Sequence, residues 1–415
     1  MTRARQHQTN RHRKAQSNSR GSTLRPKTKD SIEKEKRIRL LDEAIVNGDV
    51  KALRELSVTG PGFVNDGIRR RAWSVAVQER CTLLDETVRH KDEEQVRLDV
   101  IRSFTHIAND TKKHRLIKSQ RQDDLLHVIM DVLQRHPKLA YYQGFHDVCT
   151  CLIIVLGKEA AKMAAEPLAM FFFRDCMLSN LEPVLDQLSL MTALFKLEDP
   201  EIQEFLDRSE TLPFFPLSWI ITWCSHDLQD FEKIARIYDF LLCFNPLMSI
   251  YLTAAVVMSR RDELFQVECD NAMVHTFLTK FPKDIDLEQV ISHAHLLYTT
   301  YPPEALQNRS QTWLDENSSV NTFSKPGTRL YEDDDEKASS TPVDFEPIDQ
   351  ILDMPRVKRN KESSALSKYP LSALYKYRGN MVTMVAFSAV SMSTVTLVLL
   401  NSGVFREWLN NSGLY

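Results

Sequence analysis

The chain has 415 residues, of which 43% are hydrophobic and 26% are charged. This balance is typical of a soluble globular body and excludes a chain that is disordered or membrane-embedded throughout. With only 11 glycines, a glycine-rich phosphate loop or a turn-dense all-β fold is disfavoured. The net charge of −3 provides no general attraction to nucleic acid.

Residues 1–30 are basic, rich in Ser, Thr and Asn, and almost free of apolar side chains. Burial cannot offset the entropy lost on ordering, so a disordered basic tail is predicted. Contact with RNA or acidic lipid is the alternative, but no aromatic residue is interleaved for base stacking. No nucleic-acid partner is therefore expected. The tail also lacks the apolar segment of a signal peptide and the amphipathic face of a mitochondrial presequence.

Residues 31–307 show one helical pattern after another. Ser31 is expected to cap the first helix. Pro137 should end a later helix, because its ring clashes with the preceding turn. That helix carries an apolar stripe at i, i+3, i+4, i+7 and i+8 spacing, formed by Leu125, Val128, Ile129, Val132 and Leu133. No run of alternating strand residues occurs, so the predicted fold class is all-α. Seven scattered cysteines, most in apolar surroundings, indicate reduced core thiols in a cytosolic body.

The C-terminal quarter divides into three parts. Residues 308–378 are rich in Ser, Thr, Pro and charge, with an acidic run at 332–336, and are predicted to be a flexible linker. Residues 379–405 carry no charge, and a helix over 381–400 would span about 30 Å, the thickness of bilayer hydrocarbon. A transmembrane anchor is therefore predicted, with 406–415 as a short luminal tail. The excess of basic residues before the anchor predicts a body that faces the cytosol. A buried core helix is the alternative.

Asp99 and Arg102 lie three residues apart in a predicted helix over 86–104. This spacing places both on one helix face, where the carboxylate can orient the guanidinium. Taken alone, such a pair is more often a surface ion pair that contributes little to stability. Arg69 and Trp73 are the ends of a third candidate segment, Arg69-Arg-Arg-Ala-Trp73. Its simplest interpretation is the basic start of a helix that the tryptophan anchors to the core.

Gln143 lies in the segment Tyr141-Tyr142-Gln143-Gly144-Phe145-His146-Asp147, between Pro137 and the apolar run 148–156. The segment is predicted to be a loop that opens a helix. Gly144 permits an unusual backbone turn, and the neighbouring aromatic rings can hold the glutamine in a fixed direction. An aromatic loop that only packs under a helix bundle is equally compatible with the pattern.

An arginine and a glutamine without a phosphate loop or a set of metal ligands are poor components of an independent enzyme. They are suited to completing the site of a GTPase, which holds its own GTP and Mg²⁺. An arginine supplied in trans neutralises the charge that develops on the transferred phosphate, and a glutamine amide can orient the attacking water. Such an arginine accelerates hydrolysis by about 10³–10⁵. No metal or cofactor bound by the chain itself is expected.

Three motifs stand in the order and at the spacing carried by the TBC family of Rab GTPase-activating proteins. They are Arg69…Trp73, Val96…Asp99…Arg102 and Tyr142-Gln143-Gly144. The resemblance continues through 217–226 and 236–241 and covers about 36–306. Two departures are that Val96 replaces the usual isoleucine and that Arg69 follows Ile68 where the family commonly has a proline.

The resemblance implies a V-shaped, two-lobed TBC helical domain over 31–307 that accelerates GTP hydrolysis by a Rab GTPase. Arg102 and Gln143 would be the catalytic fingers. The supporting residues would be Asp99, which positions Arg102; Trp73, which braces the finger helix; Tyr142 and Gly144, which shape the glutamine loop; and Arg69, from the same motif as Trp73. Residues 212–223, 245–251 and the apolar C-terminal segment further resemble a membrane-anchored member of the family. That similarity implies the Rab of ER-to-Golgi traffic as substrate and a location on the endoplasmic reticulum or early secretory membranes.

Other functions compete with this interpretation. A TBC-like scaffold that binds a Rab at the membrane without accelerating hydrolysis is the main alternative, disfavoured because both fingers are present. A zinc site at His146, Cys149 and Cys151 is disfavoured because cysteines at i and i+2 on a helix point to different faces. A serine hydrolase is disfavoured because no Gly-x-Ser-x-Gly elbow occurs.

Overall fold

The computed structural model describes residues 29–78, 89–104, 112–323 and 346–354. Within these ranges all regular secondary structure is helical and no strand occurs, which confirms the predicted all-α class. A π-helical turn at Leu168–Phe172 and a 3-10 turn at Arg174–Met177 follow the α-helix that ends at Pro167. The α-helices are α1 Lys29–Asn47, α2 Val50–Val58, α3 Asp66–Ala76, α4 Glu93–Ile101, α5 Lys112–Arg135, α6 Phe145–Leu156, α7 Lys158–Pro167, α8 Glu182–Glu198, α9 Pro200–Arg208, α10 Leu217–Thr222, α11 Phe231–Leu241, α12 Met248–Ser259, α13 Arg261–Leu264, α14 Asn271–Leu278, α15 Leu287–Thr300, α16 Pro303–Ser310, α17 Ser319–Thr322 and α18 Glu346–Asp353.

Helix α5 supports both candidate finger regions. All five residues of its predicted apolar stripe are fully buried. The helix ends at Arg135, two residues before Pro137, because the residue before a proline avoids helical backbone angles. It packs against α4, α6 and α7. Arg102 follows the last residue of α4, and Gln143 lies two residues before α6, so α5 sets the relative position of the two segments.

The first helix begins earlier than predicted. Lys29 and Asp30 are already helical, so Ser31 lies inside α1 and is not its N-cap. Asp30 in the first turn interacts favourably with the positive end of the helix dipole.

The finger helix α4 is shorter than the predicted span of 86–104. It begins at Glu93 because His90 and Asp92 are used in tertiary hydrogen bonds instead of helical ones. The imidazole Nε2 of His90 lies 3.0 Å from the carbonyl of Leu139, and Asp92 accepts a 2.9 Å bond from the backbone N–H of Tyr141. At its other end α4 stops at Ile101, so Arg102 is its C-cap residue rather than an interior residue.

The folded body extends past the predicted boundary at 307, into the segment predicted to be a linker. Val320 and Phe323 are buried. The buried guanidinium of Arg174 donates to the carbonyl of Asn317 at 3.1 Å and to Thr322 at 2.6 Å. Composition did not reveal this, because the few buried apolar residues of the segment form no periodic stripe and polar side chains make the other attachments.

Helix α18 also lies within the predicted linker and packs at the C-terminal end of α5. Ile348 is fully buried, and Lys138 pairs with Asp353 at 2.6 Å. The buried imidazole of His136 lies between Glu166, at 2.8 Å, and Asp349, at 3.0 Å. Burial alone would lower the pKa of His136, but hydrogen bonds and charge from the two carboxylates outweigh it and raise the pKa to about 9.

We expect the attachment of α18 to weaken as the pH rises through about 9. The imidazolium is favoured in the folded chain over an unfolded histidine, whose pKa is about 6.5. Its stabilisation is therefore complete below about 6.5 and is lost as the folded pKa is passed. Near neutral pH the free energy of unfolding should be about 1 kcal/mol lower for Asp349→Asn than for the wild type. At high pH this difference should be much smaller, and thermal unfolding of the two proteins measures it. A difference that does not change with pH would contradict this.

The predicted basic tail, except its last two residues, and the predicted anchor at 379–405 lie outside the described residues. Among the helices that the structure does describe, none combines the length and apolar character needed to cross a bilayer.

Candidate functional site

Arg102 projects from the C-terminal end of α4. Its side chain is 46% exposed. Its Nε donates to the carbonyl of Leu98 at 3.2 Å, and one terminal nitrogen donates to the carboxylate of Asp99. These bonds hold the guanidinium at the surface and leave several of its five N–H donors available to a partner.

The acceptor for Arg102 is a fixed, buried carboxylate. Asp99 is 1% exposed and also accepts hydrogen bonds from the Tyr141 hydroxyl at 2.9 Å and from the Gln95 amide at 3.3 Å. A carboxylate held by several donors keeps one orientation and restricts the arginine bonded to it. The spacing read from the sequence thus corresponds to a real ion pair. Its burial was not foreseen.

Gln143 is exposed, on a loop whose flanking residues are buried. Its amide makes no hydrogen bond to any part of the chain that the structure describes. Gly144 has a φ of +131°, which residues with a side chain rarely adopt, and a Cβ there would lie 3.0 Å from Thr222 and 3.2 Å from the Tyr142 ring. Only glycine fits this position, and its conformation turns the chain directly into α6.

Tyr142 anchors the glutamine loop to the body. Its hydroxyl donates to the carbonyl of Ile221 at 2.8 Å. Its ring lies 5.9 Å from that of Phe145 and 6.4 Å from that of Phe173. Burial raises the pKa of Tyr142 well above its usual range, so the residue remains a neutral hydrogen-bond donor. Gln143 is therefore presented outward from a rigid base.

Tyr141 connects the glutamine loop to the arginine. Its hydroxyl bonds Asp99 at 2.9 Å and lies 3.1 Å from Nδ1 of His146. Burial, reinforced by Asp99, raises the pKa of Tyr141 well above its usual range. From the sequence, Tyr141 was recognisable only as part of an aromatic segment. The doublet Tyr141-Tyr142 was the available signal, since one ring can face the body while the other faces α4.

A second set of polar residues lies beneath the loop. Asp147 accepts a 3.0 Å hydrogen bond from His226 and lies 3.4 Å from Nε2 of His146. Burial tends to raise the pKa of Asp147, but the hydrogen bond from His226 and the charges of both histidines lower it overall. The same hydrogen bond raises the pKa of His226. Asp147 and His226 lie in segments noted from the sequence, but the sequence assigned neither of them a role.

The alternative zinc site finds no support in the geometry. Cys149 and Cys151 are buried, and burial raises the pKa of both thiols. The two nitrogens of His146 face Tyr141 and Asp147 instead. In the part of the chain that the structure describes, no three side chains of ligand type are arranged to hold a metal ion.

Arg69 and Trp73 lie apart from the Arg102–Gln143 cluster and join α3 to α11. Arg69 is 3% exposed and donates to Asp239 at 3.2 Å and to Glu232 at 2.9 Å. The Trp73 indole donates to Asp239 at 2.8 Å, and its ring stacks on Tyr238 with centroids 5.6 Å apart. Burial raises the pKa of Asp239, which the charge of Arg69 opposes. These contacts run to α11, whereas Trp73 was expected to brace the finger helix.

The sequence of the chain is similar to those of known proteins. Residues 67–265 match the Rab-GTPase-TBC domain. The chain is 34% identical over 264 residues to bovine TBC1 domain family member 20, covering 62% of this chain and 65% of the bovine protein. It is 33% identical over 292 residues to the mouse protein of the same name, covering 66% of this chain and 70% of the mouse protein. The chain belongs to the Rab-GTPase-TBC domain family.

This TBC domain is also similar to a yeast protein. It is 30% identical over 273 residues to the GTPase-activating protein gyp10 of Schizosaccharomyces pombe, covering 63% of this chain and 72% of that protein. The chain spans just under two thirds of the length of the bovine relative, 65%. The matched residues of the TBC domain include both candidate fingers and every supporting residue predicted from the sequence.

Proposed function

We propose that this TBC domain is a GTPase-activating protein that supplies Arg102 and Gln143 in trans to a Rab GTPase in its GTP form. The observation that carries the proposal is the pairing of an exposed guanidinium, bonded to buried Asp99, with an exposed amide on a rigid loop. Tyr141 connects the two. The names of the curated relatives, which include a GTPase-activating protein, support the same function.

Each finger has a distinct chemical role in the proposed mechanism. The planar guanidinium of Arg102 neutralises charge that develops on the transferred phosphate. The amide of Gln143 can accept from and donate to the attacking water, and so orients it for in-line attack. GTP and Mg²⁺ belong to the Rab. Asp99 and the glutamine loop lower the entropy cost of placing the fingers, because both are ordered before the GTPase binds.

The surface beside Arg102 suits a protein partner. Leu98 and Ile101 are 52% and 66% exposed. The carbonyl of Leu98 accepts a hydrogen bond from Arg102, and Ile101 directly precedes Arg102. Large apolar side chains left exposed beside an available guanidinium are typical of the centre of a protein interface. A GTPase that receives the finger would cover both.

The proposed substrate is the Rab of ER-to-Golgi traffic, and the proposed location is the endoplasmic reticulum or early secretory membranes, with the body facing the cytosol. Support comes from the similarity to TBC1 domain family member 20 and from the uncharged segment 379–405. The V-shaped, two-lobed arrangement stays a prediction. Sedimentation of the chain with membranes through an alkaline wash, compared with a truncation at Asn380, tests the anchor.

Single-turnover GTP hydrolysis by a panel of purified Rabs, with and without the full chain, tests the activity. We expect acceleration of at least one Rab by about 10³-fold or more, and loss of most of it in Gln143→Ala. Gln350→Ala is the matched control, because Gln350 is an exposed glutamine on α18. A folded wild-type chain that binds a Rab but accelerates none would favour the scaffold function instead.

A further inference from the structure

His146 occupies a central place among the polar residues beneath the two fingers. It is the second residue of α6, and its side chain is 12% exposed. Its Nδ1 lies 3.1 Å from the Tyr141 hydroxyl and 3.9 Å from the Asp99 carboxylate, and its Nε2 lies 3.4 Å from Asp147. The ring therefore lies between two carboxylates, one of which holds the arginine finger.

The direction of the hydrogen bonds follows from the available protons. Asp99 pairs with Arg102 and is an acceptor only, so the Tyr141 hydroxyl donates its single proton to Asp99. The hydroxyl oxygen must then accept from Nδ1 of His146, which carries a proton. Aliphatic side chains cannot make this bond, whereas an amide N–H can.

These contacts form a continuous chain across the site. It runs from Arg102 through Asp99 and Tyr141 to His146, and then through Asp147 to His226. His226 follows α10, while Asp147 lies in the first turn of α6. The start of α6, directly after Gln143 and Gly144, is thereby joined on one side to α4 and on the other to the segment after α10.

We propose that His146 is a positioning residue that fixes Arg102 relative to Gln143. It acts through Tyr141 and Asp99 and does not touch the nucleotide. When its hydrogen bond to Tyr141 is lost, the hydroxyl that donates to Asp99 is held less firmly and the first turn of α6 can shift from α4. The inference rests on the proposed GTPase-activating function, and it assigns to this histidine the relative geometry of the two fingers.

The test compares His146→Leu with His146→Asn in single-turnover hydrolysis by the responding Rab. Asparagine can donate to Tyr141 and leucine cannot. We expect His146→Leu to lower kcat about 10- to 100-fold, in line with the cost of a misplaced catalytic group, while KM changes little. His146→Asn should recover most of the rate. His127→Leu, an exposed histidine on α5, is the matched control and should not change kcat.

A second measurement separates this inference from the proposed function. Relaxation of the Arg102 Nε–H signal by NMR, in the free chain, should report greater mobility in His146→Leu than in the wild type or His146→Asn. If no Rab responds to the wild type, the proposed function fails, yet the mobility measurement still decides the positioning role. Unchanged Arg102 mobility, equal rates in the leucine variant and the wild type, or a change in KM alone would overturn the inference.

Discussion

Replacement of Arg102 by lysine is expected to lower GTPase-accelerating activity by about 10³-fold or more while the fold is unchanged. The guanidinium bonds Leu98 and Asp99 and still has donors for a phosphate. An ammonium is a compact charge with three donors and cannot reproduce this planar arrangement. Because the side chain is 46% exposed, its loss removes little packing.

Single-turnover hydrolysis and thermal unfolding, measured on the same preparations, check this expectation. Arg97→Lys is the matched control, since Arg97 lies on the same helix, is 51% exposed and pairs only at the surface with Glu93 at 2.7 Å. That variant should retain wild-type activity. Near-wild-type turnover in Arg102→Lys would remove Arg102 from the mechanism, and a large fall in its unfolding temperature would show that Arg102 has a structural role.

Replacement of Asp239 by alanine is expected to destabilise the TBC domain by about 3–5 kcal/mol. The carboxylate is fully buried and accepts from the backbone N–H of Phe63 at 3.0 Å, from Arg69 at 3.2 Å and from the Trp73 indole at 2.8 Å. Its removal leaves a buried charge and two buried N–H groups without this acceptor, and the desolvation cost of each group is then no longer offset by this hydrogen bond.

The measurement is thermal unfolding, in which this loss corresponds to a fall of roughly 6–20 °C in Tm for a domain of this size. Asp262→Ala is the control, because Asp262 is 95% exposed and lies as far as 3.9 Å from its partner Arg261. It should change Tm by no more than about 1–2 °C. An Asp239→Ala protein as stable as the control would show that Arg69 and Trp73 do not hold α3 to α11 through this carboxylate.

These two variants separate the roles within the motifs read from the sequence. Arg102 is exposed and its hydrogen bonds to Leu98 and Asp99 leave other N–H donors for a partner. Arg69 is buried and surrounded by carboxylates, so it stabilises the fold. Sequence spacing placed both among the candidate site residues, because a motif does not indicate which of its members face solvent.

The sequence by itself determined the helical class, the apolar stripe of α5, the i, i+3 spacing of Asp99 and Arg102 and the unusual backbone turn that Gly144 permits. These features are local, since helical periodicity and backbone sterics act between residues a few positions apart. The apolar stripe of α5 could be predicted for this reason, and so could the termination of α5 before Pro137.

Only the tertiary structure decided which polar groups meet. Tyr141 bonds Asp99 across 42 residues of sequence, Arg69 bonds Asp239 across 170, and His136 bonds Asp349 across 213. No periodicity encodes such pairs, because they form only after the helices have packed and water has been excluded from between them. The same packing engages His90 and Asp92 in tertiary hydrogen bonds, so that they lie outside the finger helix. It also attaches α18 to the body. The placement of both fingers therefore depends on burial and on long-range hydrogen bonds, which the order of residues does not reveal.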